Sequence, residues 1–294
     1  MTYELFIGDR LFSSWSFRGW LMLKKFGLPY RTHMVGLYSG SMAEDMAQVS
    51  PARLVPALRL PDGIVVGESL AIAETLAERH PEANLWPQNA TARATARWLC
   101  SEMVAGFAAL RSECPMQLLH CWGGFAPTAE TLTDLKRIEL LWQHARSVSG
   151  AKQGPLFETY SLADVFYTPV AARVIGYDLP VSEQNREYCL QLLADISVRQ
   201  WRAMGMTVKY DPFPYNQNLP SAPWPIGETS SAMPATDGPS INSACPYSGQ
   251  PVTHFLKLNG RIWGFCNAFC RDKTLSDPQA WPKFEKMVSS VNHS

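Results

Sequence analysis

Two groups of side chains in this sequence are able to do chemistry. The first is the run of hydroxyls Ser13, Ser14 and Ser16 in "LFIGDRLFSSWSFRGWLML" (Leu5 to Leu23), set where one apolar run gives way to another of helical spacing. Hydroxyls at a helix start can satisfy its free N–H groups or donate to a bound anion. The second group is Cys245, Cys266 and Cys270, crowded into the last fifty residues. Cys266 and Cys270 are four apart and share one face if a helix starts there. Asn259-Gly260 between apolar alternations is a hairpin signal that returns the chain so that Cys245 can meet them. Thiolates so arranged suit zinc, which favours a tetrahedral, sulfur-rich site.

The composition bounds what these groups can belong to. At 294 residues, 46% apolar and 18% charged, the chain reads as an ordinary globular protein of two domains with a small third module. Its 26 basic and 26 acidic residues cancel, so no overall field attracts nucleic acid or an acidic membrane, and neither is expected as a partner. No apolar run is long enough to span a bilayer. Tyr3 to Gly8 is too short for a signal segment and is interrupted by Glu4, so the expected location is the cytoplasm. Cys100, Cys114, Cys121 and Cys189 are scattered through helical patterns and read as buried apolar thiols.

The elements that must position the serines follow from periodicity. Tyr3 to Gly8 reads as a strand, Trp15 to Phe26 as a helix ending near Gly27, and Tyr30 to Val35 as a second strand. Pro61-Asp62-Gly63 joins two short strands, Pro56 to Leu60 and Ile64 to Val66. Ser69 to Arg79 is a helix with Ser69 as its expected N-cap. With a short helix before Pro56 the order is β-α-β-α-β-β-α. After Pro87 long helices follow: one carrying Trp98, Leu99, Met103, Phe107, Leu110 and Arg111, then Thr128 to Arg146, Leu162 to Val174 and Glu183 to Met204. Ser161 and Asp164 form a capping-box pattern. Asp211 to Pro239 holds seven prolines and favours an extended linker over a packed element. Beyond it, Thr253 to Leu258 and Arg261 to Phe265 form the hairpin. A short helix from about Asn267 and another near Trp281 to Val288 complete the module.

The serine turn, "RLVPAL" (Arg53 to Leu58) and "GESLAIAETL" (Gly67 to Leu76), followed by an all-helical region with "SLAD", together resemble the cytosolic glutathione transferases over about residues 1 to 210. The resemblance implies an α/β thioredoxin-like domain (1–82) and an all-α domain (90–210), followed here by a proline-rich linker (211–240) and a small α+β, metal-binding-like module (241–294). It implies a cis bond before Pro56 and a backbone at Val55 that pairs with the cysteinyl part of glutathione. Glu68 and Ser69 would take the ammonium and carboxylate of the γ-glutamyl end, the latter helped by a helix N-terminus. A homodimer is implied as well.

"SSWSFRGWLML" resembles the "SSCSxRVRIAL" signature of the zeta class, which includes maleylacetoacetate isomerase. Ser13 takes the place of that class's catalytic serine and Ser14 its neighbour, while Trp15 stands where the class has cysteine. Many family members carry a lysine beside the valine, where this sequence has Leu54 with Arg53 before it. Lowering a thiol pKa by about two units from about 8.5 needs roughly 2.7 kcal/mol. A charge-assisted hydroxyl bond worth about 1.5–3 kcal/mol supplies this. The implied activity is a glutathione transferase, conjugating a small electrophile or isomerising it. The alternative is a non-catalytic glutathione- or metal-binding sensor or scaffold.

"CPYSG" looks like a zinc knuckle "CPxCG" with Ser248 in place of the second cysteine, and the spacing resembles the TRASH and YHS modules. The fourth ligand is left open among His254, Asp272 and water. A cytosolic dithiol, a Cys266–Cys270 disulfide and a degenerate knuckle are the alternatives to metal binding.

Overall fold

The computed structural model describes residues 2–208, 214–227 and 231–292, and the chain divides into two units. One contains Met1–Leu193 with Pro214–Trp224, and the other Ala194–Phe213 with Pro225–Ser294.

The first unit begins with strand β1 (Tyr3–Ile7), almost wholly buried, and helix α1 (Ser14–Lys25). Phe17, Trp20, Leu21 and Leu23 of α1 are buried, and Gly27 at φ +69° lets the chain turn back. Strand β2 (Tyr30–Met34) runs parallel to β1, from Tyr3 opposite Tyr30 to Ile7 opposite Met34. After helix α2 (Met42–Ala47), β3 (Ala57–Arg59) pairs antiparallel with β1, and β4 (Val65–Val66) with β3. The sheet order is therefore β2-β1-β3-β4, and helix α3 (Ser69–Arg79) follows. This is the β-α-β then β-β-α arrangement of a thioredoxin-like domain.

One local expectation changes. Ser69 is the first helical residue of α3, and Glu68 is its N-cap, at φ 59° and ψ 127° with no side-chain cap hydrogen bond. A left-handed φ at a residue other than glycine is costly, and such positions concentrate at functional sites.

Helices α4 (Ala90–Ala105) and α5 (Ala108–Glu113) replace the single expected helix. A Cβ at Gly106 would lie 2.8 Å from the Glu102 carbonyl, and Phe107 is left-handed at φ 58°. The break therefore lies at residues 106–107, and Arg111 sits on α5. The short strand β5 (Cys121–Trp122) leads to α6 (Ala129–Ser149), capped by Thr128 and closed by Gly150 at φ 81°. Every residue of α7 (Leu162–Gly176) is buried. The capping box forms as expected: Asp164 accepts from the Ser161 N–H at 2.9 Å and also from the Leu156 N–H and the Tyr188 hydroxyl. Helix α8 (Glu183–Ala194) ends where a single helix to Met204 was expected, because Asp195 caps a new one by accepting from the Ser197 N–H at 2.8 Å.

The proline-rich stretch also differs from the expected linker. Strand β6 (Ser221–Ala222) pairs with β5, the Gly123 N–H donates to the Pro220 carbonyl at 2.7 Å, and Gln217 donates to the Glu113 carbonyl. Prolines keep this strap extended, and its backbone is satisfied by the helical part of the first unit.

In the second unit, α9 (Ile196–Gly205) packs with the C-terminal elements. Arg199 makes a two-bond ion pair with Asp277 (2.7 and 2.8 Å), and Gln200 donates to the Ala280 carbonyl. Strands β7 (Met233–Ala235), β8 (His254–Leu258) and β9 (Arg261–Phe265) form an antiparallel sheet. Asn259 and Gly260 both have positive φ (53° and 75°), as the two-residue hairpin requires. Helices α10 (Ala268–Ser276) and α11 (Pro282–Asn292) close a core containing Leu256, Trp263, Phe265, Trp281 and Phe284. No helix among the described residues is long and apolar enough to cross a membrane.

Candidate functional site

Ser13 is the N-cap of α1 and is only 8% exposed. Its Oγ accepts from the Ser16 N–H at 3.3 Å and donates to Ser16 Oγ at 2.8 Å, while Ser16 Oγ accepts from the Gly8 N–H at 2.9 Å. The serines thus tie the end of β1 to the start of α1. Ser16 is the member of this set to which the sequence alone assigned no role. Asp9 shapes the connecting turn, accepting the N–H groups of Leu11 (2.7 Å) and Phe12 (3.0 Å). Burial raises its pKa to about 6 against those two bonds.

Ser13 and the half-buried Ser14 line a cleft of about 600 Å³ together with Val55, Leu54, Trp15 and Arg111. The Ser14 hydroxyl makes no hydrogen bond among the described residues. Behind Val55, the Val55–Pro56 bond is cis and Pro56 is buried. A Cβ on Gly19 would lie 2.7 Å from Pro56 Cβ, so a glycine in mid-helix lets α1 approach this loop. Glu68 is exposed and Ser69 3% exposed, and neither lines the cleft. The structure therefore brings Ser13, Ser14 and Val55 to one cavity, with Pro56 beneath it and Glu68-Ser69 at the start of α3. Met103 and Phe107 are core residues, Trp98 is exposed, and of that stripe only Arg111 reaches the cleft.

The cleft is rich in positive charge. The Trp15 ring meets two guanidinium groups, Arg18 at 4.4 Å and Arg111 at 5.0 Å from its centroid. Arg18 is buried and donates to the Phe166 and Ser14 carbonyls. Burial, then the charges of Arg173 and Arg111, depress its pKa well below the usual range. Arg173, on α7, also lines the cleft and donates to the carbonyls of Cys114 (2.8 Å) and Pro169 (3.1 Å). Burial lowers its pKa to about 10, so it stays charged at neutral pH. Among the described residues neither Arg111 nor Arg173 pairs with a carboxylate. Arg173 had one signal in the sequence that went unused: Asp164 and Arg173 are the only charged residues of α7. Tyr38 and Tyr215, also on the cleft wall, carried no local signal.

The second unit brings the other predicted group together. The sulfurs of Cys245, Cys266 and Cys270 all lie within 4.8 Å of one another, Cys266 and Cys270 at 3.9 Å. Zinc bound tetrahedrally at about 2.3 Å from each sulfur would separate them by roughly 3.8 Å, so the set fits such an ion after small adjustment. All seven cysteines are free thiols. Burial raises the Cys245 thiol, but bonds from the N–H groups of Cys266, Tyr247 and Ser248 and from the Ser248 hydroxyl outweigh it and bring it to about 7. Burial, then the neighbouring Cys245, pushes Cys270 up to about 12. Ser248 Oγ is 3.2 Å from Cys266 Sγ. His254 bonds Thr253 and Asp272 pairs with Arg271, and neither belongs to the sulfur cluster. Of the four scattered cysteines, Cys100, Cys114 and Cys189 are buried and Cys121 is half-buried.

The fold is that of the glutathione transferases. The structure superposes on a glutathione transferase homologue from Burkholderia (strain BGR1), solved with bound glutathione, with a TM-score of 0.54. The match covers 71% of this chain and 100% of that one at 23% identity. Residues 12–79 match the family profile described as "Glutathione S-transferase, N-terminal domain". Among curated proteins, the chain is 36% identical over 107 residues to a probable maleylacetoacetate isomerase of Caenorhabditis elegans (36% of this chain, 49% of that protein). It is 35% identical over 85 residues to the maleylacetoacetate isomerase of Dictyostelium discoideum (29% of this chain, 38% of that protein). The chain thus spans half or less of the curated relatives it matches.

Proposed function

We propose that the first unit is a glutathione-dependent transferase or isomerase. The observation that carries this reading is the N-cap hydroxyl of Ser13, set in one cleft with Val55 and with arginines that, among the described residues, pair with no carboxylate. Ser13 donates to the glutathione thiolate, Ser14 supports it, Val55 and Pro56 position the cysteinyl backbone, and Glu68 with Ser69 hold the γ-glutamyl end at the start of α3. The reaction joins the sulfur to an electrophilic carbon, either as conjugation or as a reversible addition that frees a double bond to rotate. Arg111 and Arg173 suit an electrophile bearing a carboxylate, in keeping with relatives named for isomerising an unsaturated acid. Titration calorimetry with glutathione, followed by turnover of maleylacetoacetate and of a generic chloronitrobenzene electrophile, tests this reading. A folded protein that binds no glutathione would refute it.

The second unit is read as a metal-binding module of the TRASH or YHS kind, with zinc held by Cys245, Cys266 and Cys270 and water completing the set. Support comes from the convergence of three sulfurs within 4.8 Å of one another, with Cys266 and Cys270 at 3.9 Å. Native mass spectrometry should find one zinc per chain, lost on chelation and in Cys266→Ser. A metal-free native protein would reject the site and with it the sensor reading. A homodimer and a cytoplasmic location complete the proposal. Sedimentation velocity checks the dimer.

A further inference from the structure

Two tyrosines that line the cleft come from distant parts of the chain. Tyr38 follows β2, whereas Tyr215 is carried by the strap of residues 214–224. Their hydroxyls are 2.9 Å apart, and their rings meet edge to face at 6.5 Å and 85°. Both rings also stand edge-on to Phe12, the residue before Ser13, Tyr215 at 5.7 Å and Tyr38 at 6.2 Å. Three mutually edge-on rings form a stiff apolar wall beside the reacting centre. Tyr38 is nonetheless half exposed, as expected of a wall that faces a ligand space and not a core.

The strap holds Tyr215 at fixed points. β6 pairs with β5, Gly123 bonds Pro220, and Gln217 bonds the end of α5. None of these anchors belongs to the thioredoxin-like part, which, among the described residues, Tyr215 meets only through Tyr38 and Phe12 and not through Ser13 or Val55.

We propose that Tyr215, buttressed by Tyr38, is a specificity-determining residue of the acceptor site, limiting the size of the electrophile and stacking on its planar body while Arg111 and Arg173 take its negative charge. This rests on the reading of the cleft as the acceptor site. It assigns to the wall an aromatic or conjugated, anionic ligand: the rings offer apolar area, and the arginines offer positive charge that no carboxylate among the described residues pairs with.

Binding of anilinonaphthalene sulfonate, a planar aromatic anion followed by its fluorescence, tests this with the full-length protein and needs no turnover. Tyr215→Ala should weaken the dye about fivefold to tenfold, the scale of one lost aromatic contact. Tyr215→Phe keeps the ring and should stay within about twofold of wild type, which also controls for folding. Glutathione affinity should be unchanged in both. With turnover in hand, Tyr215→Ala should raise the KM for a small acceptor and shift kcat/KM in favour of a bulkier one. Equal dye binding by wild type and Tyr215→Ala, or equal losses for dye and glutathione, would overturn the assignment. Dye binding that follows this pattern in a protein that binds no glutathione would refute the transferase reading and leave the wall intact.

Discussion

Replacing Ser13 by alanine separates the two duties of its hydroxyl. In the structure that hydroxyl donates to Ser16 Oγ at 2.8 Å, and Ser16 Oγ remains satisfied by the Gly8 N–H when Ser13 swings away. Turning to a thiolate therefore exchanges a neutral bond of about 1 kcal/mol for a charge-assisted one of about 1.5–3 kcal/mol. The net preference is about 0.5–2 kcal/mol, centred near one pKa unit. Ser13→Ala should thus raise the pKa of bound glutathione by about one unit, with the helix terminus and the cleft arginines maintaining the remaining depression. Because Ser13 also caps α1, alanine should cost about 1 kcal/mol of stability, whereas glycine should cost only a few tenths. Ser13→Ala and Ser13→Gly should therefore share the thiol shift but differ in stability. The assay is titration of the thiolate's ultraviolet absorbance in the enzyme–glutathione complex, beside urea denaturation. An unchanged titration in both variants, with a one-unit shift in Ser14→Ala, would refute the reasoning and move the role to Ser14.

Other perturbations have defined directions. The folded pKa of Asp9, about 6, lies above its unfolded value, so the folded state holds an extra proton between about pH 4 and 6. Stability is full below that window and falls by up to about 3 kcal/mol as pH rises through it. Asp9→Asn, which keeps an acceptor for Leu11 and Phe12, should flatten the slope and stabilise the protein at pH 7, as read from denaturation midpoints at pH 4 and 7. Asp164→Ala leaves the buried N–H groups of Ser161 and Leu156 and the Tyr188 hydroxyl unsatisfied. It should cost about 3–5 kcal/mol in urea midpoint analysis, and a loss under 1 kcal/mol would contradict the capping-box account. Gly19→Ala sets a methyl 2.7 Å from Pro56 Cβ and should cost about 1–3 kcal/mol, with weaker glutathione binding by calorimetry.

Local chemistry made much of this molecule readable in advance. Alternation and turn residues announced the β-α-β and β-β-α order, and Ser161 with Asp164 and Asn259 with Gly260 announced a helix start and a hairpin that both formed. The serine turn was legible because a hydroxyl cluster between two apolar patterns has few other uses. What escaped was decided by tertiary contact. Phe107 fits a helical stripe, and the break before it shows only in the backbone, where Gly106 is extended (φ −109°, ψ −166°) and Phe107 left-handed (φ 58°). Ser69 has the stronger capping propensity, yet the entry into α3 puts Glu68 in the cap position with a left-handed backbone. The prolines after Asp211 suggested free chain, because composition reports stiffness and does not reveal what an extended strand docks against. Arg173 and Tyr215 are separated from Ser13 by most of the chain, and no spacing rule connects them.

The division of the chain has a consequence for how the protein is made. The first unit takes Met1–Leu193 and then Pro214–Trp224, while the second takes Ala194–Phe213 before resuming at Pro225. During synthesis α9 leaves the ribosome before the strap that completes the cleft, and it waits for partners such as Asp277 and Ala280 that emerge some eighty residues later. No single cut separates the units. Ending the chain after α8 deprives the first unit of Tyr215 and β6, and ending it after the strap strands α9 without its core. Two blocks have been braided into one folding problem, so no simple fusion or deletion adds or removes the cysteine module without sacrificing either the strap or the partners of α9.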